Sequence, residues 1–144
     1  MERRRPGNAS ETKGGVRKVG QRNECLKFFT VNGIEWTIIP VEPDNARLID
    51  ELGKSRLAVT DYFEKKIYYS KAVQSSNALW YARVLTHEIC HCVLYSYGLL
   101  YDIHKAVKKD YWILAEEWVC NFLYDYGLEA QQIGIDMLKE NLAT

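Results

Sequence analysis

The amino-acid sequence predicts an α+β protein in which a small, mostly antiparallel sheet precedes three helices. Two observations support this prediction. Between residues 26 and 70, short runs rich in β-branched and aromatic residues alternate with turn residues. From Ser76 onward, apolar residues instead recur every three or four positions, which is the spacing of amphipathic helices.

Length and charge limit the functions that the chain can have. Its 144 residues suffice for one domain. Residues 1–24 contain seven basic and three acidic side chains, whereas the remainder contains 12 basic and 16 acidic ones. We therefore expect a flexible basic tail over residues 1–24 and one mildly acidic domain over residues 25–144. Its acidic surface is not expected to bind nucleic acid.

The sequence also predicts a compartment. No apolar run reaches the roughly 18–20 residues that a membrane-spanning helix needs. No apolar stretch follows the basic residues at the start of the chain, so a secretory signal is not expected. We therefore expect a cytoplasmic protein without membrane contact, whose four cysteines stay reduced. These are Cys25, Cys90, Cys92 and Cys120, and no CxxC pair occurs among them, which argues against a four-cysteine zinc site.

The first predicted strands form a hairpin. Two β-rich runs within residues 26–40 flank Asn32 and Gly33. This pair favours a type I′ turn because both residues tolerate positive φ. Pro40 and Pro43 are expected to end the second strand, since proline cannot donate a hydrogen bond to the sheet.

The next segment predicts a helix and two more strands. Residues 44–53 have the composition of a short helix that ends at Gly53. Residues 56–63 and 66–70 are rich in β-branched and aromatic side chains, which indicates strands.

Three helices are predicted in the second half of the chain. Apolar periodicity indicates a helix over about 77–97 that ends at Gly98. The polar-leaning residues 99–110 predict a connection, and two further helices follow over about 111–126 and 128–142.

The functional signal is the HExxH motif, residues 87–91, in the first of these helices. His87 and His91 are four residues apart, so both imidazoles leave the same face and can bind one metal ion. Glu88 lies beside them, where it can accept a proton from a water that the metal makes acidic. This pattern is typical of zinc hydrolases, with Glu88 as the catalytic residue.

A third metal ligand is predicted on the following helix. Glu116 and Glu117 lie on an otherwise apolar helix, where burial of a carboxylate is costly unless it is paired or binds a metal. We prefer Glu117, because Asn121 follows it by one turn and could accept the free N–H of a ligating histidine. Glu116, about 100° away around the helix, is the alternative.

These motifs resemble a known family. HEICH, followed about 25 residues later by EEWVCNF, is similar to the gluzincin arrangement, in particular to small ImmA/IrrE-type metallopeptidases, minigluzincins and short phage-encoded HExxH proteins. The resemblance covers about residues 26–127. It implies a zincin-like fold, one zinc ion per chain and hydrolysis of a peptide or protein substrate. It also implies that an edge strand, assigned to Lys66–Ser70, aligns the extended substrate.

The sequence offers several candidates for the residue that stabilises the transition state. His104, the third histidine, could contribute from the predicted loop between the two helices. Tyr95, Tyr97 and Tyr101 are alternatives that lie equally near in sequence.

Two rival interpretations accompany the peptidase hypothesis. The same zinc scaffold could serve as a non-catalytic module that binds a peptide or protein as an adaptor or inhibitor. A purely structural zinc site would instead need a fourth protein ligand, for which Cys90, Cys92 or His104 are the candidates.

Overall fold

The computed structural model describes residues 25–142, so the tail predicted over residues 1–24 lies outside the described part of the chain. The fold is α+β, as predicted. Four strands form one sheet, and the longer helices follow the sheet along the chain.

The sheet is mixed, with two antiparallel pairs joined by one parallel pair. Its strands are β1 (Leu26–Phe29), β2 (Glu35–Val41), β3 (Ala58–Asp61) and β4 (Lys66–Ser70). The spatial order is β1-β2-β4-β3. β1 pairs antiparallel with β2, β2 parallel with β4, and β4 antiparallel with β3. β1 and β3 are therefore the edge strands of the described sheet.

The assignment of Lys66–Ser70 as the edge strand is wrong. β4 pairs on one side with β2 and on the other with β3, so it lies inside the sheet. Its residues 67–70 are all buried, as is typical of a strand covered on both faces. The edge beside the helices belongs to β3.

The predicted hairpin is confirmed, but the predicted type I′ turn is wrong. The backbone N–H of Gly33 donates to the Thr30 carbonyl at 2.8 Å, and only Gly33, with φ of 86°, lies in the left-handed region. Asn32 does not adopt positive φ. This pattern is a type I turn followed by a left-handed glycine rather than a type I′ turn.

Pro40 does not end β2, which continues to Val41. Ile38 is the last residue of β2 that pairs with β1, whereas Pro40 is in register with Tyr69 of β4. A proline is tolerated there because β2 has a single neighbouring strand at this point within the described sheet.

The helix predicted over residues 44–53 is reduced to a 3-10 turn at Ala46–Leu48. Asp50 explains the difference, because its Oδ1 accepts the backbone N–H groups of Leu52 and Lys54, each at 2.9 Å. Such side-chain hydrogen bonds offer the backbone an alternative to helix.

The helices are α1 (Lys71–Gln74), α2 (Ala78–Ser96), α3 (Leu99–Ala106), α4 (Trp112–Phe122) and α5 (Leu128–Leu142). α2 begins after Asn77, whose side chain accepts the N–H of Trp80 at 2.8 Å, and it ends before Gly98, with φ of 70°. Within residues 25–142, none of the helices has the length and apolarity that crossing a bilayer requires.

Two helix predictions need correction. The connection expected over residues 99–110 contains α3. The interruption expected between the last two helices is absent, because a π-helical turn at Leu123–Gly127 joins α4 directly to α5.

The core lies between the sheet and α2. Its buried side chains are Trp36, Ile38, Ile67, Tyr69 and Cys92. Leu85 and Ile89 of α2 pack against this cluster. The apolar stripe of α2 therefore faces the sheet, which fixes the rotation of the helix that contains the HExxH motif.

Replacement of Ile67 by alanine should lower the free energy of unfolding by about 2–5 kcal/mol, because its completely buried side chain would leave a cavity. Ile133→Ala makes the same chemical change at an exposed position of α5, and should alter stability by less than about 0.5 kcal/mol. Urea denaturation followed by circular dichroism measures both. Equal losses would contradict the placement of the core.

Candidate metal centre

Helix α2 presents two imidazoles toward one point. His87 and His91 are one helical turn apart, and their Nε2 atoms lie 3.2 Å from each other. His91 is buried, while His87 is partly exposed. The i, i+4 spacing predicted this convergence, since such residues share a helix face.

Glu117 of α4 meets both imidazoles. Its Oε2 lies 2.8 Å from Nε2 of His87, and its Oε1 lies 3.1 Å from Nε2 of His91. α2 packs against α4, and this contact joins residues thirty positions apart in sequence. The group His87, His91 and Glu117 could hold a metal ion.

The geometry of this group fits one small cation. Two atoms that bind the same tetrahedral ion at about 2.0–2.1 Å lie about 3.3 Å apart. The two imidazole nitrogens lie 3.2 Å apart, and they lie 2.8 and 3.1 Å from different oxygens of the Glu117 carboxylate. Two imidazole nitrogens and a carboxylate suit divalent transition metals. Three protein ligands also leave a coordination position open.

The carboxylate of Glu116 also lines the cleft, but it pairs with His104 and not with His87 or His91. Its Oε1 lies 2.5 Å from Nε2 of His104, whose ring stacks on Trp112 with centroids 4.2 Å apart. The indole N–H of Trp112 donates to the backbone carbonyl of His104 at 3.0 Å. Of the two candidate glutamates, the described structure therefore brings Glu117, and not Glu116, to the histidines.

His104 contacts Glu116 but does not itself line the cleft that contains the metal group. The three tyrosines considered as alternatives also fail to line the cleft. The cysteines proposed as a fourth structural ligand, Cys90 and Cys92, are free thiols outside the described metal group.

Glu88 is buried beside the histidines and lines the same cleft. Its Oε2 accepts a hydrogen bond from the Thr60 hydroxyl at 2.5 Å. Burial raises the pKa of Glu88, while the Thr60 hydrogen bond and the neighbouring imidazoles oppose this rise. Thr60 therefore both orients the carboxylate and favours its ionised form.

Asn121 follows Glu117 by one turn of α4 and lines the cleft. The pKa of His87 is raised, mainly by its hydrogen bond to Glu117 and to a smaller degree by the Asn121 side chain. Asn121 thus lies next to a histidine of the metal group.

Two contacts of the site were not predicted from the sequence. Thr60 bonds to Glu88, and the Tyr62 hydroxyl lies 3.0 Å from Nδ1 of His91. Thr60 lies in β3, and Tyr62 lies in the turn directly after it. Both belong to the strand predicted over residues 56–63, but nothing in the sequence indicated which helix their side chains contact.

The metal group lies in a cleft of about 890 Å³ between β3, α2 and α4. β3 contributes one wall through Ala58, Val59 and Thr60. Apolar side chains at Trp80, Val84 and Ile113 also line it. An edge strand, an apolar surface and a metal group therefore border one cavity.

Comparison with known proteins adds no further assignment: no family model, no curated protein and no solved structure matches this chain. The likeness to gluzincins thus rests on the motif residues. The functional interpretation rests on the geometry of the cleft.

If the group holds a divalent metal ion, replacement of Glu117 by glutamine should weaken the binding of added zinc by more than about 100-fold, because loss of an outer hydrogen-bond partner alone typically costs 10–100-fold. Glu116→Gln is the matched control and should retain wild-type affinity, since Glu116 contacts His104 instead. Competition with a chromogenic chelator measures both affinities. Stronger weakening by Glu116→Gln than by Glu117→Gln would refute the ligand assignment.

Proposed function

We propose that the protein is a zinc-dependent metallopeptidase of the gluzincin type. The observation that supports this proposal is the convergence of His87, His91 and Glu117 beside the buried carboxylate of Glu88. A metal group with an open position next to a candidate general base is an arrangement that can hydrolyse an unactivated carbonyl.

His87 and His91 would bind zinc through Nε2, and Glu117 would bind it through its carboxylate. The ion, when bound, would polarise the scissile carbonyl and make a water molecule more acidic. The histidines and Glu117 come from two packed helices, which fix the relative positions of the donors.

Glu88 would accept the proton of the attacking water. Thr60 holds Oε2 of Glu88 by a hydrogen bond, which leaves the second carboxylate oxygen for the proton. The same group could then pass this proton to the leaving amine.

The substrate would be an extended peptide that adds to the open edge of β3. β3 is an edge strand of the described sheet and lines the cleft with the metal group. A peptide paired with this edge would pass the metal with its main chain aligned by hydrogen bonds. Apolar side chains of the substrate would pack against Trp80, Val84 and Ile113.

His104 has no direct role in the proposed reaction, because its Nε2 contacts Glu116 and the residue does not line the cleft. We also infer that the protein works in a reducing compartment such as the cytoplasm. All four of its cysteines lie in the described part of the chain, and all are free thiols.

Glu88→Gln should keep one zinc ion per chain and lower the rate of peptide hydrolysis by about 10²–10⁴-fold, because the amide cannot accept the proton. Zinc content is measured by elemental analysis, and turnover with a mixture of peptides whose cleavage is followed by mass spectrometry. Hydrolysis that is sensitive to chelators and restored by zinc is expected for the wild type.

The same measurement separates the enzyme from the binding module. If zinc-loaded wild type retains peptides on a column but cleaves none, the catalytic proposal fails and the adaptor or inhibitor interpretation replaces it. If Glu88→Gln cleaves as fast as the wild type, the assignment of the general base is wrong.

A further inference from the structure

Tyr62 contacts the metal centre from the turn that follows β3. It follows β3 directly, and its hydroxyl lies 3.0 Å from Nδ1 of His91. Nδ1 is the ring nitrogen that faces away from Glu117, since Nε2 of the same ring lies 3.1 Å from that carboxylate. Tyr62 and Glu117 therefore contact His91 from its two ring nitrogens.

The position of Tyr62 is itself fixed by aromatic packing. Its ring stacks on Tyr95 of α2, with centroids 5.1 Å apart and an angle of 5° between the planes. Tyr95 in turn meets the edge of Trp36, which is completely buried in β2. The indole N–H of Trp36 donates to the Ser96 hydroxyl at 2.8 Å. A continuous set of contacts thus links the sheet core to the imidazole of His91.

We propose that Tyr62 is the positioning residue that fixes the ring orientation of His91 for metal binding and accepts the Nδ1 proton of the metal-bound ring. The inference rests on the proposed zinc site. An imidazole that binds a cation through Nε2 carries its proton on Nδ1. This N–H then donates to the hydroxyl oxygen of Tyr62.

A hydroxyl suits this role better than a carboxylate would. It can accept a hydrogen bond from Nδ1–H, and it can donate one to Nδ1 when the proton is on Nε2. The same 3.0 Å contact therefore holds the ring both before and after metal binding. It also adds no negative charge next to Glu117 and Glu88.

The first test compares zinc affinities of the wild type, Tyr62→Phe and Tyr95→Phe. Tyr62→Phe removes only the hydroxyl and preserves the stacked ring, so zinc binding should weaken by about 10–100-fold. Tyr95→Phe is the matched control, since in the described structure the Tyr95 hydroxyl makes no hydrogen bond to His87 or His91. Its affinity should stay within about 3-fold of the wild type.

The free energy of unfolding is measured in EDTA for all three proteins, so that a general loss of stability is distinguished from loss of the metal-specific contact. A Tyr62→Phe protein with near wild-type stability but weaker zinc binding supports the inference. Zinc affinity equal to that of the wild type overturns it.

A second measurement needs no variant. In zinc-loaded wild type labelled with ¹⁵N-histidine, the side chain of His91 should bear its proton on Nδ1, and this proton should exchange slowly with water because Tyr62 accepts it. A proton on Nε2 of His91, or rapid exchange of an Nδ1 proton, overturns the inference even if Tyr62→Phe fails to fold.

These outcomes separate the two proposals. If the wild type binds no zinc, the peptidase proposal fails and the role of Tyr62 fails with it. If the wild type binds zinc and Tyr62→Phe binds it equally well, only the positioning role is refuted.

Discussion

The packing of α2 against α4 is the contact on which the candidate site depends. It places the two imidazole nitrogens 3.2 Å apart, with one carboxylate oxygen of Glu117 at 2.8 Å from His87 and the other at 3.1 Å from His91. A carboxylate placed this close to two imidazoles is stabilised by hydrogen bonds or by a shared cation. The contacts hold the pKa of Glu117 well below its usual range, mainly through the hydrogen bond from His87. The site thus maintains negative charge at the point where a cation would bind.

The sheet supports this arrangement from the opposite side. Thr60 in β3 contacts Glu88, and Tyr62 just beyond it contacts His91. β3 and the turn directly after it therefore hold both the proposed base and one proposed ligand. Because the outer edge of β3 is open in the described sheet, the element that would align a peptide is also the element that orients the site. Substrate alignment and the geometry of the base would then be coupled through one strand.

Several local predictions failed for identifiable physical reasons. The helix expected over residues 44–53 does not form because the Asp50 side chain accepts hydrogen bonds from nearby backbone N–H groups, which would otherwise be available to a helix. α3 was not predicted because its eight residues offer little more than two turns of periodicity. The strand Lys66–Ser70 was correctly located, but its position in the sheet was not, since strand order depends on contacts between distant segments.

The sequence by itself determined that His87 and His91 share a helix face with Glu88 beside them, because helical spacing is a local property. It also limited the third ligand to Glu116 or Glu117, preferring the latter for its spacing to Asn121. Only the tertiary structure decided which carboxylate meets the imidazoles, because that depends on how α4 is rotated against α2. The same reason applies to the pairing of Glu116 with His104 and to the contacts from β3. These contacts depend on how packed helices and strands are placed relative to one another. The residue pattern within a single helix or strand does not determine that placement.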